Sequence, residues 1–100
     1  MIQPQKLPDL LIRLHRCVED IHRLLALANM TREEAGDRTL NVLTALGLLI
    51  RQLEAPRDKP WGPEELGDQA IVVAKLEAVV ANVCSHLRTG RHRPTRNSLS

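Results

Sequence analysis

Apolar and polar positions alternate along most of this chain with the period of an α-helix, in three long stretches separated by short breaks. In the first stretch Leu7, Leu10, Leu14, Cys17, Ile21, Leu24 and Ala28 recur at alternating steps of three and four, the spacing of a coiled-coil seam. Leu11, Val18 and Leu25 widen that seam, while Arg13, Arg16, Glu19, Asp20 and Arg23 fall on the opposite, solvated side. Pro8 suits a first helical turn, where its missing N–H costs nothing. The pattern predicts a helix over about 8–28.

Thr31 followed by Glu34 reads as a capping box, in which hydroxyl and carboxylate each satisfy an N–H at a helix start. A second helix is predicted over 32–54, through Leu40, Val42, Leu43, Leu46, Leu49, Ile50 and Leu53. Ala55-Pro56 stops it, and residues 55–62, with two prolines and a glycine, form a linker that no helix can cross. Pro63 opens a third predicted helix over 63–89, whose apolar positions are Leu66, Ala70, Val73, Leu76, Val80, Val83, Cys84 and Leu87. Gly90 stands where a left-handed cap is expected.

The expected fold is all-α: one domain over 1–90, a bundle of three long amphipathic helices, with 91–100 a flexible basic tail. Winding the helices at 100° per residue gives apolar arcs of roughly 140°, 220° and 180° in chain order. A helix in a simple bundle needs little more than about 100°. The surplus predicts apolar surface left over in an isolated chain, and such patches mark interfaces. A homodimer completing the bundle is therefore expected, with the second helix its most buried element.

Composition changes this picture in one respect. The chain has no Phe or Tyr and only one Trp, Trp61, so Leu, Val, Ile and Ala must build the core. A formal charge of +2 is too small to imply a nucleic-acid or membrane partner. Arg88, Arg91, Arg93 and Arg96 gather near the end without an acid among them, yet nothing supplies base readout, and the tail reads as a solubilising end. Met1-Ile2-Gln3-Pro4 lacks the pattern of a signal peptide, and no uninterrupted apolar run of membrane-spanning length is read. Two cysteines without framework spacing fit a reducing, cytoplasmic setting.

Candidate chemistry is sparse. Cys17 and Cys84 occupy apolar positions and read as small core residues. His15 and His22 are one heptad apart, too far for one metal ion, and no zinc spacing, phosphate loop or Ser/His/Asp order appears. No catalytic residue, metal site or cofactor is expected. Two acidic clusters look alike, Glu33-Glu34-Ala35-Gly36-Asp37 and Glu64-Glu65-Leu66-Gly67-Asp68. The second resembles a segment of MazG-like nucleotide pyrophosphohydrolases. That resemblance implies magnesium held by Glu34, Asp37, Glu65 and Asp68. An antiparallel helix pair would place the two clusters roughly 25–30 Å apart, so only a dimer could unite them. Acids favouring helix N-termini account for both clusters without a metal. Trp61 either plugs the end of the bundle or serves as an anchor for a partner.

The chain length, the helix pair around Thr31–Leu53 and Glu64–Leu87, and the lack of catalytic chemistry resemble the small helical bacterial antiactivators that sequester transcription factors. The resemblance implies a non-enzymatic regulator that binds a partner protein. Leu46, Leu49, Leu53, Val80, Val83 and Trp61 are the residues expected at the dimer or partner interface. A structural subunit of a larger helical assembly is the further alternative.

Overall fold

A computed structural model of the chain describes residues 6–91. The first helix, α1, spans Leu7–Leu27, with Pro8 in its opening turn. Its end is tied off by the backbone. The N–H of Asn29 donates to the Ala26 carbonyl at 3.0 Å and that of Met30 to the Leu25 carbonyl at 2.9 Å. Asn29 takes a φ of 53°, the left-handed turn that this pair of bonds requires and that Asn tolerates.

The capping box forms as the sequence predicts: Glu34 N–H donates to Thr31 Oγ1 at 3.1 Å, and Thr31 N–H to Glu34 Oε1 at 2.9 Å. The helix it starts, α2, lasts only from Arg32 to Ala35. Gly36 then adopts φ 101° and ψ 170°, and α3 begins afresh at Asp37 and runs to Glu54. The single helix expected over 32–54 is thus two, giving four helices among the described residues rather than three. The reason is local: glycine reaches this conformation without a Cβ penalty and contributes little to a helix interior. Asp37, read with the first acidic cluster, occupies the first turn of α3 instead.

The last helix, α4, covers Pro63–Arg91. It continues through Gly90, so the left-handed cap expected there does not end it. Of the basic tail expected over 91–100, all but Arg91 lies outside the described residues.

Three inner seams build the core. Leu10, Leu14, Cys17, Ile21 and Leu24 of α1 meet Val42, Leu46, Leu49 and Leu53 of α3 and Leu66, Val73, Val80, Cys84 and Leu87 of α4. Each seam repeats at seven-residue intervals or their three-and-four halves, the spacing that packs helices at shallow crossing angles. Burying a Leu, Ile or Val fully is worth about 1.5–3 kcal/mol. Leu10, Leu14, Ile21, Leu46, Leu53, Val73 and Val83 are all under two per cent exposed. The chain runs up, down and up. Leu7 and Leu11 share a cleft with Leu53 and Ala55, so α1 and α3 are antiparallel. Arg13 pairs with Glu77, and Asp20 lies beside Cys84 in a second cleft, so α1 and α4 run parallel. Within this chain α1, and not the second predicted helix, is the element packed most extensively against the others.

Two expectations need correction here. Leu46, Leu49, Leu53, Val80 and Val83, expected at an interface, are all buried within the chain's own core. They pack into one core cluster with the seam of α1 inside the same chain, which leaves little apolar surface there to offer. The second concerns membranes. The segment Pro63–Thr89 is long and apolar enough to cross one by length and composition, with a window of mean hydropathy 1.6. Lys75 and Glu77 are the only Asp, Glu, Lys or Arg residues between Ala70 and Leu87.

Candidate interaction surfaces

The residues at the lower end of the bundle form a cleft. The linker after α3, which contains Pro56 and Pro60, bends at residues 58 and 59 and returns across the start of α1. Leu7, Leu11, Leu53, Ala55 and Pro60 supply apolar walls, and Trp61 closes one side. Glu54, Arg57 and Lys59 form a charged rim, and the cleft holds about 410 Å³. Trp61 is half-buried and packs against the core, as the plug reading expected, while still lining this opening.

A chain of polar contacts fixes the indole. The Arg57 guanidinium lies 3.8 Å from the Trp61 ring centroid, a cation–π stack. Its other side donates to Glu65 Oε2 at 2.8 Å. The second Glu65 oxygen accepts from Gly62 N–H at 3.0 Å, closing the N-terminus of α4. The Arg57 guanidinium, and then the Gly62 N–H, hold the Glu65 carboxyl below its ordinary range. The sequence had marked Glu65 for its acidic neighbours alone. Its partner Arg57, eight residues back across a proline loop, had no periodic signal to reveal it.

The acids considered for magnesium are accounted for separately. Glu34 belongs to the Thr31 capping box, and its carboxyl is lowered first by the Thr31 backbone N–H. Glu65 is engaged with Arg57 and Gly62. Asp37 and Asp68 stand in the opening turns of α3 and α4, at opposite ends of an antiparallel pair. Among the described residues, no group of three or more His, Cys, Asp or Glu is placed to hold a metal ion.

A second cleft of about 300 Å³ follows the α1–α4 seam, lined by Arg13, Arg16, Cys17, Asp20, Glu77, Val80, Ala81, Cys84 and Arg88. Arg13 grips Glu77 through Nε at 3.0 Å and through a second, shorter contact. Arg13 therefore links two helices rather than facing only solvent, as the pattern of α1 had implied. The Glu77 carboxyl is pulled down chiefly by that hydrogen bond. Both thiols are free and are pushed up mainly by burial, which keeps them protonated and poorly nucleophilic.

The exposed apolar side chains lie elsewhere. Leu48 on α3 and Ile12 and Leu27 on α1 stand out singly. On α4, Ile71 is 56% exposed and Val72 and Val79 are each 41% exposed, all on the side turned from the inner seam.

No known protein family, curated protein or solved structure matches this chain.

Proposed function

We propose that this chain is a non-enzymatic interaction module, a small helical regulator that binds and sequesters a partner protein such as a transcription factor. The observation that carries this reading is the cleft around Trp61. It is apolar inside, charged at its rim, and held open by residues already locked to one another. A rigid aromatic at the edge of an apolar recess is the usual make-up of a binding hot spot. Preorganisation matters because the Arg57–Glu65–Gly62 contacts meet the ordering cost before a partner arrives. An amphipathic helix of the partner inserts one apolar side chain between Leu7, Leu11 and Trp61. An acidic residue flanking that side chain meets Lys59. The regulator acts in the cytoplasm, where reducing conditions suit the two free cysteines.

The test is co-purification of the tagged chain from its native host, with Trp61→Ala as control. One stoichiometric partner retained by the wild type and lost from a Trp61→Ala protein of unchanged helicity is the expected result. The same proteins retained by both chains would remove the cleft from the mechanism. Magnesium-dependent hydrolysis of a nucleoside triphosphate by the purified chain would overturn the non-enzymatic reading altogether.

A further inference from the structure

The helix α4 carries two heptad seams on different sides. The inner one, Leu66, Val73, Val80 and Leu87, is buried against the rest of the chain. The outer one reads Asp68, Val72, Lys75, Val79, Asn82 and His86, at steps of four and three throughout, and all six residues are exposed. Ile71 and Ala78, also exposed, flank it. A helix with apolar residues on both sides belongs in an interior, yet only 28% of the apolar window of α4 is buried.

We infer that the outer seam of α4 packs antiparallel against the same seam of a second copy of this chain. The charge pattern identifies the occupant. On this side of α4 the first two turns carry Glu64 and Asp68, and His86 stands near the other end. A second copy running the opposite way sets the acidic end of each seam beside the partner's His86, and it also opposes the helix dipoles favourably. A parallel copy would oppose like with like. In antiparallel heptad register Asp68 stands opposite the partner's His86, Val72 opposite the partner's Asn82, and Lys75 opposite the partner's Val79. The two-fold axis repeats each pairing. Lys75 and Asn82 interrupt an otherwise apolar seam. A polar residue at such a position costs stability but selects register and oligomeric state. The stem of Lys75 lies along the partner's Val79, and its ammonium reaches solvent. A lipid bilayer fits this face less well. It would leave Lys75 and Asn82 unpaired in hydrocarbon while α1 stays clamped to the other side through Arg13 and Glu77.

Sedimentation velocity and equilibrium of the full chain, from micromolar to millimolar concentration, test the pairing. The expected mass is twice the 11.2 kDa of one chain. Val79→Arg, at an exposed position where its charge meets the partner's Lys75, should give a monomer of unchanged helicity. Lys75→Leu should tighten the dimer. Asp68→Arg and His86→Glu should each weaken it several-fold, and the two together in one chain should restore it, which only antiparallel pairing allows. A wild-type chain monomeric throughout overturns the inference. So does a dimer indifferent to Val79→Arg, or a monomer that instead sediments with phosphatidylcholine vesicles. Trp61→Ala leaves this dimer intact, so failure here and failure of the Trp61 cleft are read separately.

Discussion

Single side chains in this protein matter most where they fasten one segment to another. Glu65 is the clearest case, because its two oxygens bind Arg57 and Gly62 and thereby set Trp61. Its carboxyl is depressed in the folded state. The contribution of that lock is therefore fully present above the unfolded carboxyl's range and is lost as pH falls through the lower folded value. Trp61 is the only tryptophan and there is no tyrosine, so its fluorescence reports the lock directly. Emission should hold steady down through the ordinary glutamate range, near pH ~4.3, and change only below it. Glu65→Gln should remove that acid step. An unchanged acid profile in Glu65→Gln would mean that the indole is positioned by packing alone. Arg13 and Glu77 fasten α1 to α4 in the same manner, but part-exposed, so solvent screening limits what the pair contributes.

At the scale of elements, the break at Gly36 decides how the connection between α1 and α3 is made. A Cβ built on Gly36 meets nothing within 4 Å, while its φ of 101° is one that other residues rarely adopt. Gly36→Ala should therefore cost backbone strain alone, about 1–3 kcal/mol, read as a lowered urea midpoint with an unchanged m-value. Equal or greater stability, accompanied by more helix, would show that α2 and α3 merge once glycine is removed. The sequence pattern had favoured that merged helix, since Leu40 and Val42 continue an apolar stripe and the capping box at Thr31 lies upstream. The periodicity carried no sign of the break. The glycine itself, one residue before Asp37, was the available clue. The wide apolar arc read for this helix also resolves at this scale. Leu43 and Ile50 pack against the core from its flanks, leaving Leu48 as its isolated exposed large side chain.

For the whole molecule, the core is one contiguous set of seams, so a charge placed in it should act on the entire fold. Leu49, 8% exposed, is the test. Leu49→Glu buries an unpaired carboxylate and should cost about 3 kcal/mol or more, a large share of the stability of a domain this small. Thermal melting followed by circular dichroism should fall by well over 10 °C if about 1 kcal/mol shifts the midpoint by 4–8 °C. An unaltered melt with altered self-association would instead move Leu49 to an interface between chains. The sequence by itself determined the all-α class, the capping box, the helix starts at Thr31 and Pro63, and the heptad seams, including Leu10, Leu14, Leu46, Leu53 and Val73. These follow from local hydrogen bonding and from the period of a helix, both of which are written residue by residue. Which apolar stripe is spent inside the chain was decided only in three dimensions. The sequence pattern offered Leu46, Leu49, Val80 and Val83 to a partner and did not single out Val72 and Val79, which the structure leaves exposed. Hydrophobic periodicity records that a face must be covered, but not by what. Once α1 lies parallel to α4 and antiparallel to α3, it covers the first group, and the rigid geometry of a helix turns the second outward.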